Sequence, residues 1–254
     1  MTNSPWDSRV AVVTGGSRGI GRSVAVTLAA QGWDVGFSYL RDEAAAAQTK
    51  TCIEAQGRRA LAVQADVASR ADVERLFAAV SREFGRLDSL INNAGIVGQP
   101  RSILDVDEEH LTSVFRANVL GCFFCAGEAA RLMSTQRGGR GGTIVNMSSA
   151  AARHGGMPNE AHYAASKGAI DSFTLSLAKE LPSHGIRVNA VRPGLIDTDI
   201  HEAHGGQELV QRVGPTVPLG RAGSAAEVAE VVAFLAGPLS SYMHGALVDV
   251  SGGR

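Results

Sequence analysis

The segment Thr14-Gly15-Gly16-Ser17-Arg18-Gly19-Ile20-Gly21 limits the folds open to this chain more than any other. It joins a short β-branched apolar run, residues 9–14, to a stretch in which Ile20, Val24 and Leu28 recur at helical spacing before Gly32. Strand, glycine turn and helix in that order open a crossover unit, since missing Cβ atoms allow a tight reversal and a close helix–strand approach. The unit repeats. Residues 35–39 precede a helical 44–55, 60–63 precede 73–84, and 89–92 precede a further helical region. A strand over 143–147, a helix over 163–181, a strand over 186–191, a helix over 225–235 and a strand near 247–250 continue the pattern. Such alternation predicts an α/β fold of parallel strands with crossover helices. Ser69-Arg70-Ala71-Asp72 resembles a capping box, and Gly85 and Gly185 stand where the helices from Asp72 and His162 should stop.

A length of 254 residues suits one large α/β domain. Residues 194–223 read as irregular, with Pro215 and Pro218, and we expect a mobile substrate loop there rather than a linker, hence a single domain over 1–254. The formal net charge of -1 gives no excess for nucleic acid or an anionic membrane surface. No apolar stretch approaches the ~20 residues that span a bilayer. Residues 1–8 are polar, without an apolar segment behind a basic start, and three cysteines cannot form a disulfide framework. We therefore expect a cytoplasmic protein.

The glycine turn offers backbone N–H groups to an anion, although its Gly-x-x-x-Gly-x-Gly spacing differs from the common dinucleotide fingerprint. An acidic residue for a ribose 2′-hydroxyl is expected about 20 residues further on, at the end of the second strand. Tyr39-Leu40-Arg41 stands there instead. Arg41, with Arg18 in the turn, favours a 2′-phosphate and hence NADP(H), while Asp42 and Glu43 keep NAD(H) open. Tyr163 and Lys167 lie four residues apart in the helix over 163–181, on one face. An ammonium beside a phenol favours phenolate and lowers its pKa, so the pair is expected to exchange a proton with a carbonyl oxygen.

Taken together, Thr14 to Gly21, Asn92-Asn93-Ala94-Gly95, Asn118, Ser149, Tyr163-x-x-x-Lys167 and Arg192-Pro193-Gly194 resemble the short-chain dehydrogenase/reductase family, over essentially the whole chain and in the family's order. The likeness is greatest to the members grouped with 3-oxoacyl-[acyl-carrier-protein] reductases and glucose dehydrogenases. It implies a single Rossmann-like, doubly wound domain with a mostly parallel seven-stranded sheet, helices on both faces, and a homotetramer, with a homodimer as the alternative. It implies a catalytic set of Asn118, Ser149, Tyr163 and Lys167, in which Tyr163 transfers the proton, Lys167 bonds the nicotinamide ribose, Ser149 orients the carbonyl and Asn118 holds a water. It further implies cofactor contacts from Asn93, Ala94 and Gly95, from Asp66 and Val67 at the adenine, and from Pro193, Gly194, Ile196 and Thr198 at the nicotinamide. Asp66 has the alternative of capping its own turn, and Ser148 is the alternative hydroxyl to Ser149. The interval from Ser149 to Tyr163 is one residue longer than is common in the family, so residues 150–162 are expected to bulge. His154 and Asn159 on that loop are candidate substrate contacts.

Read this way, the protein interconverts a carbonyl and a secondary alcohol, with a 3-oxoacyl thioester as the leading substrate and a sugar or polyol as the alternative. A cofactor-sensing protein without turnover is the reading from another class. Cys122-Phe123-Phe124-Cys125 sits inside an apolar helix rather than at a helix start and is read as core, not as a redox or metal pair. His201-Glu202-Ala203-His204 lacks the spacing and the third ligand of a zinc site, and the arginine–glycine run 137–142 is read as an exposed loop. Arg140 could face an acyl carrier protein, but His184 replaces the second basic residue expected for one, so that partner is left open.

Overall fold

The computed structural model describes residues 9–198 and 205–254. The expectation about residues 1–8, part of the expected substrate loop and the whole of His201-Glu202-Ala203-His204 lie outside the described residues.

Strand β1 (Val10–Val13) is wholly buried, and its pleat sends Val10 and Val12 into one apolar cluster and Ala11 and Val13 into another. In chain order follow β2 (Asp34–Tyr39), β3 (Ala60–Gln64), β4 (Ser89–Asn92), β5 (Gly142–Met147), β6 (Ile186–Pro193), a short pair β7 (Ile196–Asp197) and β8 (Gly223–Ser224), and β9 (Leu247–Val250). Seven of them form one sheet in the order β3-β2-β1-β4-β5-β6-β9, with every pairing parallel. Helices α1 (Gly19–Ala30) and α2 (Glu43–Glu54) pack on one face; α3 (Arg70–Phe84) packs on the other. Then come α4 (Glu108–Phe115), α5 (Gly121–Met133), α6 (Ala151–His154), α7 (Ala161–Glu180), α8 (Gly206–Val213) and α9 (Ala225–Ala236). Of these, α5 and α7 join α3, and α9 joins α1 and α2. This is the doubly wound fold expected from the sequence. The chain turns back between β1 and β4, which opens a crevice at the carboxyl ends of those strands.

Three local expectations change, and the bulge expected over residues 150–162 is present. Ser69 caps α3 by accepting the Asp72 N–H, but the Asp72 carboxylate, shorter than a glutamate, accepts from Asp66 N–H at 2.9 Å instead of closing a box. The full capping box is Ser224 with Glu227 at the start of α9. Gly85 ends α3 in the left-handed region as expected (φ 70°), whereas α7 stops at Glu180 because Pro182 cannot continue it. Gly185 closes the 3₁₀ turn that follows, Pro182–His184. Residues 150–162 hold the short helix α6, and left-handed Gly155, Gly156 and Asn159 absorb the added length. The segment 194–223 is not wholly irregular: α8 buries Leu209 and Val210, and β7 pairs with β8 across the segment's neck.

Candidate active site

Helix α7 carries Tyr163 and Lys167 on consecutive turns, and the end of β5 receives them. Lys167 is buried and donates from Nζ to the Met147 carbonyl at 2.7 Å, while Ser148 donates to the Lys167 carbonyl at 3.2 Å. Ser148 is thereby tied to the helix backbone. The hydroxyl that hydrogen-bonds the Tyr163 phenol is Ser149, which also accepts the Ala151 N–H at 3.1 Å. Lys167 Nζ stands over the Tyr163 ring, 5.7 Å from its centre.

The electrostatics depart from the expected lowering of the phenol pKa by Lys167. Burial pushes Tyr163 up to about 12, the Ser149 hydrogen bond opposes this, and the Glu160 carboxylate adds to it. Burial also brings Lys167 down to about 8, against the Asp171 carboxylate, which favours its charged form. At the phenol, desolvation outweighs the ammonium.

Asn118 lies in a π-helical turn, Arg116–Leu120, between α4 and α5, an irregularity common at functional sites. Its Oδ1 accepts from Ile96 N–H at 2.8 Å, and its Nδ2 donates to Ile96 O at 2.8 Å and Ser166 Oγ at 2.9 Å. Both amide protons are used, which leaves acceptor capacity at Oδ1. A Cβ on Gly95 would stand 3.0 Å from that oxygen and 3.5 Å from Lys167 Nζ, so glycine keeps the space between them clear.

Two cavities meet here and share Ile20, Asn93 and Thr198. The first, about 130 Å³, is lined by Ser149, Tyr163, Lys167, Pro193, Gly194 and Ile196 among others. The second, about 260 Å³, runs along Gly15, Ser17, Arg18, Gly19 and Gly21 to Tyr39, Asp66 and Val67, with Ala94 and Gly95 on its other wall. Asp66 also accepts the Ala68 N–H at 2.9 Å, so it caps its turn and lines the cavity at once. Two expected cofactor residues stand apart. Thr14 is buried behind the trough, where its Oγ1 accepts from Asn93 and Ala94 N–H at 2.9 Å each. Arg41 is exposed and absent from the lining, while Asp42 turns away to cap α2 through Ala45 N–H.

A dinucleotide fits this trough on the chain's own geometry. Helix α1 begins at Gly19 with no side-chain cap, so its first N–H groups are left for an anion, and they open on the second cavity. Gly21 permits the turn, because a Cβ would fall 2.2 Å from Gly15 O. Cys122 and Cys125 belong to the core; burial pushes the Cys122 thiol up to about 12 and Cys125 higher, which keeps both protonated. Among the described residues no group of three or more His, Cys, Asp or Glu is placed to hold a metal ion, and no helix is long and apolar enough to cross a membrane.

Sequence reasoning missed Glu160, Met157 and Arg254, which line the first cavity beside the expected candidate His154. Arg254 comes from beyond β9, with no motif to mark it.

A doubly wound sheet with a glycine-turn trough ending at a Tyr–Lys–Ser cluster defines a nicotinamide-dependent oxidoreductase. The chain belongs to the short-chain dehydrogenase/reductase family: the family profile described as enoyl-(acyl carrier protein) reductase matches residues 15–254. It is 40% identical to the uncharacterized oxidoreductase YgfF of Escherichia coli over 96% of this chain and 99% of the relative. It is 39% identical to a 3-oxoacyl-[acyl-carrier-protein] reductase of Synechocystis over 97% and 96%. Among solved structures, levodione reductase superposes with a TM-score of 0.90 at 31% identity, covering 96% of each chain. The protein is an enzyme that acts on CH–OH or carbonyl groups of a small-molecule substrate with NAD or NADP.

Proposed function

We propose that this enzyme interconverts a carbonyl and a secondary alcohol with NADP(H), and that a 3-oxoacyl thioester is its leading substrate. The observation that carries the reaction is the Ser149–Tyr163–Lys167 cluster on a cavity continuous with the glycine-turn trough. Bound nicotinamide supplies or accepts hydride at C4. Ser149 holds the substrate oxygen, and in reduction Tyr163 gives its phenolic proton to that oxygen as the alkoxide forms. Oxidation reverses the transfer. Lys167, anchored on Met147 O, keeps the phenol in place and presents its remaining protons to the nicotinamide ribose. Asn118 Oδ1, across the Gly95 gap, holds the water that passes a proton on to Lys167.

NADP(H) preference is supported by Arg18 in the trough and by Asp42 being occupied as a helix cap, with Arg41 exposed one residue beyond the lining residue Leu40. The thioester rests on likeness to the Synechocystis reductase. For a carrier protein, Arg140 is exposed, whereas His184 Nδ1 is hydrogen-bonded to Ser134 Oγ at 2.8 Å. A homotetramer is supported by exposed Leu120, Phe123 and Leu175 on adjoining helical surfaces, where Phe123 stacks on Phe173 at 3.8 Å.

A panel of 3-oxoacyl thioesters, ketones, sugars and polyols, followed at nicotinamide absorbance with each cofactor, tests the reading. The expected result is NADPH-dependent reduction of the thioesters, with Tyr163→Phe lowering kcat by about 10²–10⁴-fold while retaining cofactor binding. Near-full turnover by Tyr163→Phe would overturn the proton-transfer role.

A further inference from the structure

The catalytic cavity carries two donors that the chemistry above does not use. Arg254 lines it with Ser149 and Tyr163, and its backbone carbonyl accepts from Arg153 Nη2 at 2.5 Å and Ser251 Oγ at 2.9 Å. Arg153 is placed by Asp249 at 3.6 Å, Asp249 by Arg192 at 3.8 Å, and Arg192 by Asp171 at 2.7 Å. Asp171 stands one helical turn beyond Lys167, so this chain of charges anchors the Arg254 backbone to the catalytic helix. The Arg254 guanidinium itself makes no ion pair or hydrogen bond among the described residues.

The second donor is His154, at the end of α6. Its Nδ1 accepts the Gly156 N–H at 3.3 Å, so the neutral ring carries its proton on Nε2. The other charged side chains on this lining are already engaged. Lys167 is held by Met147 O, and Glu160, only 6% exposed, accepts the Met157 N–H at 3.0 Å. A guanidinium and an imidazole N–H therefore remain for a bound molecule, and both suit an anion.

We propose that Arg254 and His154 form a carboxylate-recognition subsite, so that the enzyme takes compact oxo-carboxylates and the matching hydroxy acids. The guanidinium fork donates to both carboxylate oxygens while the reacting carbonyl lies at Ser149 and Tyr163. The inference rests on the carbonyl–alcohol reading and is independent of the thioester.

The test compares 3-oxobutanoate, 3-oxobutanamide and an N-acetylcysteamine 3-oxobutanoyl thioester with NADPH in the wild-type enzyme, Arg254→Gln and Arg254→Lys. The expected wild-type preference for the carboxylate over the amide is on the order of tenfold in kcat/KM. Arg254→Gln should bring that ratio close to one through a higher KM for the carboxylate, and Arg254→Lys should restore part of it. Equal use of acid and amide, a preference that survives in Arg254→Gln, or turnover of the thioester with the acid no better than the amide overturns the subsite alone. Hydride transfer to none of these three, nor to any compound of the wider panel, by enzyme that binds NADPH removes the parent reading as well.

Discussion

At the scale of single residues, Lys167 decides how activity should follow pH. Its folded-state pKa of about 8 lies below the ordinary lysine value, so the ammonium is present at neutral pH and is lost as pH rises through about 8. Tyr163, held near 12, stays protonated and able to donate across that range. We expect kcat/KM for reduction to be level around neutrality and to fall above about pH 8. Asp171→Asn keeps an acceptor for Arg192 but removes a charge that supports the ammonium, so the alkaline limb should move to lower pH. A limb that stays in place in a pH–rate profile would rule out Lys167 as its source. The sequence made Tyr163, Lys167 and Ser149 legible through local spacing and motif order. It could not give the direction of the phenol shift, because that depends on which segments cover the hydroxyl, nor place Arg254 beside a tyrosine 91 positions earlier in the chain.

At the scale of elements, the glycine turn shows which of its residues the fold itself demands. A Cβ on Gly21 would lie 2.2 Å from Gly15 O and 2.5 Å from Asn93 Nδ2, both fixed groups. Gly21→Ala should therefore cost about 1–3 kcal/mol and weaken NADPH binding, read by denaturant unfolding and fluorescence titration. Gly168, inside α7, meets nothing within 4 Å. Gly168→Ala should instead gain about 0.5–1 kcal/mol, and a loss there would show that the catalytic helix packs more tightly than its contacts indicate. Strands and long helices were legible because their apolar periods are unambiguous, and β9 falls on the expected residues. The helices α6 and α8 escaped because four and eight residues bounded by glycine give too short a period to distinguish from a loop.

At the scale of the whole molecule, strand–helix alternation was enough to predict parallel strands with crossover helices. Family likeness supplied the number of strands in the sheet. Assembly is a matter of surface rather than core, and the exposed Leu120, Phe123 and Leu175 are where it should be felt. We expect light scattering to give about four times the 26.4 kDa chain mass, and Phe123→Glu to shift it toward smaller species. A monomer at micromolar concentration would count against the tetramer. The pairing of β7 with β8, Ile196 to Gly223 and Asp197 to Ser224, has a further consequence. Because the two ends of the intervening stretch are pinned together, we propose that changes of length between them are tolerated while the sheet, the trough and the tyrosine keep their registration.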